Sequence, residues 1–102
     1  LEAGARVEVR LRPAVEVDGA VAVQFYWAKE GRAQRWSVNA EAAPGGALRV
    51  RAAATSPFGP GDGKLIVLVG RPDQLPDHEI TDEATLVGHA EARVLTWSVR
   101  WK

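Results

Sequence analysis

Lys64-Leu65-Ile66-Val67-Leu68-Val69-Gly70 is the stretch that decides the fold. Nowhere else do five apolar residues follow one another without interruption. Five consecutive apolar side chains, three of them β-branched, are too few for a typical helix and read as a strand buried on both faces. The glycine-rich run Gly59-Pro60-Gly61-Asp62-Gly63 reads as the loop that opens this strand, and Gly70-Arg71-Pro72 closes it.

The segments around it alternate. In residues 6–12, Val7, Val9 and Leu11 share one face, and Arg6, Glu8, Arg10 and Arg12 the other, which predicts a half-buried strand ended by Pro13. Val15-Glu16-Val17 is expected as a short edge segment before an Asp18-Gly19 turn. Residues 21–27 predict a second strand. Val21, Val23, Phe25 and Trp27 lie on one face, with Ala22, Gln24, Tyr26 and Ala28 on the other. Lys29-Glu30-Gly31-Arg32 signals a hairpin. Residues 34–38 return with Trp36 and Val38 inward, residues 39–46 form a loop, and residues 47–53 alternate again around Leu48, Val50 and Ala52.

Residues 55–63 are turn chemistry throughout, with Phe58 expected to plug one end of the core. Pro72 and Pro76 predict an extended connection over residues 71–78. Thr81 or Asp82 is placed to cap a short helix over residues 82–89, which Gly88 weakens. In residues 93–101 the phase sets Leu95, Trp97, Val99 and Trp101 against Val94, Thr96, Ser98 and Arg100. Trp27, Trp36 and Trp97 fall at inward positions, and Trp101, next to the chain end, is the tryptophan expected to be exposed.

Six or seven short strands, turn signals between them and one short helix before the last strand predict an all-β fold. The expected architecture is an immunoglobulin-like antiparallel β-sandwich without the cysteine pair of antibody domains, with a small barrel as the alternative. At 102 residues the chain suits one domain. It contains no methionine, not even at position 1, so residues 1–102 are expected to be a fragment of a larger protein.

Composition excludes more than it suggests. Thirteen basic residues balance thirteen acidic ones, which argues against a nucleic-acid partner and against a polybasic membrane patch. Without cysteine there is neither a disulfide nor a thiolate metal site. No apolar run approaches a membrane span.

The chemistry-bearing residues form no recognised constellation. His78 and His89 stand near Asp77, Glu79, Asp82, Glu83 and Glu91 without metal-ligand spacing. The glycine loop lacks the Lys-Ser/Thr of a phosphate loop and precedes a strand. Ser37, Ser56 and Ser98 lie outside any nucleophile elbow. No catalytic residue, metal or cofactor is therefore assigned. Arg6, Arg10, Arg12, Arg49 and Arg51 read as one outer sheet face softened by Glu8.

Arg12-Pro13-Ala14 after an alternating strand, Trp36, and the string Val69-Gly70-Arg71-Pro72-Asp73-Gln74-Leu75-Pro76 after an apolar strand carry a resemblance. In order and motif the chain resembles the extracytoplasmic C-terminal β domain of anti-sigma-factor-like membrane proteins of myxobacteria and relatives. Those proteins add a zinc-finger segment and one membrane helix. The resemblance implies a non-catalytic sensing or protein-interaction domain on the periplasmic side of a membrane-anchored parent, with a protein or an envelope ligand as partner. Two other readings stand beside it. One is a carbohydrate-binding or enzyme-appended module, which requires coplanar exposed aromatics. The other is a cytoplasmic interaction domain. Loops on a rigid scaffold usually carry binding, so residues 55–63 and 71–79 are the candidate contact regions, with Phe58, Arg71 and His78 as candidate binding residues.

Overall fold

The computed structural model describes residues 5–11, 22–37, 41–42, 48–54, 58–88 and 92–101. Expectations for Val15-Glu16-Val17, Asp18-Gly19, most of the loop at 39–46, and His89 and Glu91 fall outside them. Among the described residues the chain is mostly antiparallel β-sheet, with seven strands and one short α-helix. The strands are β1 (Ala5–Leu11), β2 (Ala22–Lys29), β3 (Arg32–Trp36), β4 (Glu41–Ala42), β5 (Leu48–Ala54), β6 (Gly61–Gly70) and β7 (Arg93–Trp101). The helix α1 (Glu83–Val87) precedes β7. Two sheets form, in the orders β1-β5-β4 and β3-β2-β6-β7.

The apolar run sits where its composition demands. β6 is flanked by β2 and β7, and Leu65, Ile66, Val67 and Leu68 are all buried. Their side chains alternate between two cores. Leu65 and Val67 join Phe25, Trp27, Trp101 and Val50, with Val7 packed against them. Ile66 and Leu68 join Tyr26, Ala28, Ala33, Ile80 and Leu86. The first core thus draws Val50 and Val7 from the three-stranded sheet.

β2 is as deeply enclosed as β6, which its half-polar alternation does not announce. Gln24 through Ala28 are all buried. The polar members are satisfied internally: Gln24 Nε2 donates to the Pro76 carbonyl (2.8 Å) and the Tyr26 hydroxyl donates to Gln24 Oε1 (3.3 Å). The β2–β3 hairpin closes through Glu30 and Gly31, both at positive φ (52° and 80°). That pair of left-handed residues matches the right-handed strand twist in a two-residue loop.

Three expectations need correction. Residues 61–63 are strand, paired with Val99 to Trp101, and the turn chemistry stops at Pro60. Glycine serves there for close approach: a Cβ at Gly63 would lie 2.9 Å from the Ala28 carbonyl oxygen. The 71–78 connection is not simply extended, because Pro72–Gln74 forms a 3-10 turn. Gln74 Oε1 accepts the Arg71 N–H (2.8 Å). The tryptophans exchange roles: Trp101 is 5% exposed and Trp97 41%. Trp101 lies opposite Gly61 in the ladder and packs edge-on to Trp27 at 5.0 Å. Trp97 shares its face at mid-strand but is not part of the buried cluster that holds Trp101. Position in the sheet, not distance from the chain end, sets exposure.

α1 is shorter than expected. Asp82 caps it, Oδ2 accepting the Thr85 N–H (3.0 Å) and hydroxyl (2.8 Å), and Gly88 ends it. Five residues cannot hold a helix alone. Leu86, with no exposed surface, anchors it on the second core.

Candidate functional site

The two margins of the four-stranded sheet differ. On the β3 side, the Ala33 N–H donates to the Thr81 carbonyl (2.9 Å), the Glu83 N–H to the Gly31 carbonyl (2.9 Å), and the Arg35 N–H to Glu79 Oε1 (2.9 Å). The chain approaching α1 therefore behaves as a partial strand. Glu79 extends the ladder with a carboxylate in place of a backbone carbonyl. An edge covered in this way cannot template another chain.

On the β7 side, no strand among the described residues pairs with the outer edge. The strand is nine residues long and contains no proline. All seven aromatic residues lie within the described part of the chain, and Trp97 is the one that is exposed. A long, regular edge with an exposed indole at its centre is suited to pairing with an extended chain.

The opposite face of the same strand end borders a groove of about 590 Å³. Ser98, Val99 and Arg100 form one wall, Lys64 and Asp62 the floor, and Glu83 and the β2–β3 turn the far side. Two ion pairs lie along it. Lys64 Nζ bonds Glu83 Oε1 at 2.9 Å and Arg100 Nε stands 3.8 Å from Asp62. Such pairs at the surface contribute about 0–1 kcal/mol each, so they are available to be re-formed with a ligand at small cost.

The residues singled out from the sequence are not brought together. Phe58 is half-buried against the first core, with the Arg32 guanidinium 5.8 Å from its ring centroid. Arg71 is exposed beyond the far end of β6, a strand of ten residues. At about 3.3 Å per residue the strand between them spans roughly 30 Å. His78 is exposed, its Nδ1 2.9 Å from Asp77 Oδ1. The His78 ring holds the Asp77 carboxyl below the usual aspartate range, by hydrogen bond first and by charge as a smaller cause. The connection that bears Arg71 and His78 spends its apolar residues Leu75, Pro76 and Ile80 on the second core and the fold.

The other tryptophans form no binding platform. Trp27 lies between Trp36 (4.9 Å) and Trp101 (5.0 Å), and Phe25 meets Trp36 edge-on at 6.1 Å. Among the described residues no three His, Cys, Asp or Glu side chains gather as a metal site, and no helix is long and apolar enough to cross a membrane. By register Glu8 lies opposite Arg51 and Glu41 opposite Arg49.

No protein-family model matches the chain, and no curated protein or solved structure matches it. The β7 edge was missed from sequence because alternation marks a strand without saying which of its neighbours exist.

Proposed function

We propose that this chain is a non-catalytic protein-interaction domain of immunoglobulin-like β-sandwich architecture. It takes up an extended segment of a partner along the outer edge of β7. The observation that carries this reading is the contrast between the two margins of one sheet: the β3 edge is satisfied by Thr81, Glu79 and Glu83, while no described strand covers the β7 edge. Strand addition draws affinity from main-chain hydrogen bonds and specificity from alternate side chains. Trp97 supplies an apolar contact on one face of the added strand, and Ser98 and Arg100 supply polar contacts on the other. The sandwich reading is supported by the core that Val7 and Val50 share with Phe25 and Trp27. The resemblance noted from the sequence adds an extracytoplasmic placement to the proposal, which fractionation of cells expressing the parent gene tests.

A peptide-display selection of extended segments against the whole chain tests the docking mode. Selected peptides are expected to lose binding at least tenfold to Trp97→Lys. They should also lose it to one of two neighbouring proline variants, Trp97→Pro and Ser98→Pro. Successive residues of an edge strand point their N–H groups alternately inward and outward, so one of these prolines blocks docking and leaves the ladder to β6 intact. Peptides whose binding ignores all three changes would remove the reading.

A further inference from the structure

We infer that the partner strand is the β7 of a second copy of this chain, added antiparallel about a two-fold axis centred on Trp97. This rests on the reading of the β7 edge given above and names its occupant. The parity of a sheet limits the choices. Residues opposite one another point to the same face, so in a two-fold pair of identical strands the paired residue numbers sum to an even value. The axis then falls on a residue.

Centring on Trp97 sets the exposed indole against its own copy. The remaining pairs follow from the sequence. Leu95 meets Val99 and Thr96 meets Ser98, matching apolar with apolar and hydroxyl with hydroxyl. Val94 meets Arg100 and Arg93 meets Trp101. The strand carries two charges, both positive, and self-pairing of such a strand fails wherever they coincide. In this register they do not. Arg93 and Arg100 of the second copy occupy neighbouring positions on opposite faces, and Arg100 keeps Asp62 beside it on its own chain. A net charge of zero removes long-range repulsion between copies. The closed two-fold consumes the β7 edge of both copies, so association through this edge stops at a dimer.

The test uses the whole chain. Sedimentation from about 1 μM to about 1 mM, the range in which weak contacts populate, is expected to show a monomer–dimer equilibrium. Trp97→Lys, which sets like charges face to face, is expected to weaken it at least tenfold while leaving the circular dichroism spectrum unchanged. The register is read by cross-linking, since the chain has no cysteine of its own. Opposed residues lie about 4.5–5.5 Å apart at Cα, within disulfide reach. A mixture of Thr96→Cys and Ser98→Cys chains is therefore expected to cross-link at least tenfold faster than either variant alone. A monomer at every concentration overturns the second copy as partner, as does a dimer indifferent to Trp97→Lys or a mixture with no cross-linking advantage. Should the chain stay monomeric while selected peptides still require Trp97, only the identity of the occupant falls. Peptides that ignore Trp97 would take the underlying reading with it.

Discussion

The Tyr26 hydroxyl and Gln24 Oε1, 3.3 Å apart, form the middle of a buried relay that ties the chain approaching α1 to β2. The Ile80 N–H donates to the Tyr26 hydroxyl (3.5 Å), and Gln24 Nε2 donates to the Pro76 carbonyl. Removing one member leaves the others buried without a partner, which costs more than the lost bond itself. Tyr26→Phe is expected to destabilise by about 1–2 kcal/mol and Gln24→Leu by about 1–3 kcal/mol. Their double variant should cost less than the sum, because both act on one network. Urea unfolding of the four chains checks this; strictly additive losses would show that the two side chains are not coupled.

Gly63 is held to its size by a backbone atom. A Cβ there meets the Ala28 carbonyl oxygen at 2.9 Å, and the β2–β6 ladder leaves that oxygen little freedom to move. Gly63→Ala is expected to cost about 1–3 kcal/mol. At Gly70 the crowding atom, also at 2.9 Å, is the Gln74 side-chain oxygen. Gly70→Ala should therefore cost less, with Gln74 giving up its bond to the Arg71 N–H. Thermal unfolding of both variants decides the order, and the reverse ranking would mean that the strand is looser than the turn.

Much of this fold is legible in the chain because burial on both faces leaves a mark that partial burial does not. Residues 65–69 admit no polar side, so the centre of the four-stranded sheet follows from composition. The second face of β2 does not follow. Gln24 and Tyr26 look like solvent-side residues and are buried only because Pro76 and Ile80 cross above them and accept or donate their hydrogen bonds. The contrast between Trp97 and Trp101 fails for a related reason. Period two assigns both to one face, but Trp101 is buried in the first core against Trp27 while Trp97 stays 41% exposed, a difference set by tertiary packing. Which edge of a sheet stays open is a property of pairing between distant segments, and no local pattern encodes it.

Asp77 and His78 provide a local titration that tests the geometry of the 71–81 connection. The ring lowers the Asp77 pKa by its hydrogen bond and, less, by its charge. The folded value lies below the unfolded one, so the interaction favours the folded state above the unfolded pKa and is lost as pH falls through the folded one. Both side chains are solvated, which keeps the effect on stability small. Carboxyl chemical shifts followed through acid titration should place Asp77 below the ordinary aspartate range, and His78→Ala should move it upward. No movement on that substitution would show that the 2.9 Å contact does not persist in solution.

Trp27 carries the one side-chain polar atom that is fully buried without a hydrogen-bond partner among the described residues, its indole Nε1. The ring is nonetheless central to the first core, between Trp36 and Trp101. The two facts push in opposite directions. Deleting the ring opens a cavity and forfeits both aromatic contacts, so Trp27→Ala is expected to cost about 3–5 kcal/mol. Trp27→Phe keeps an aromatic ring at the same place and removes the unpaired N–H, whose burial carries a penalty of about 1–3 kcal/mol. That relief offsets much of the lost area, and the net cost of Trp27→Phe should stay below about 2 kcal/mol. Denaturant unfolding followed by circular dichroism, which does not depend on the tryptophan removed, measures both. If Trp27→Phe proved as damaging as Trp27→Ala, the indole N–H would have to be donating a bond after all, to a water held in the first core.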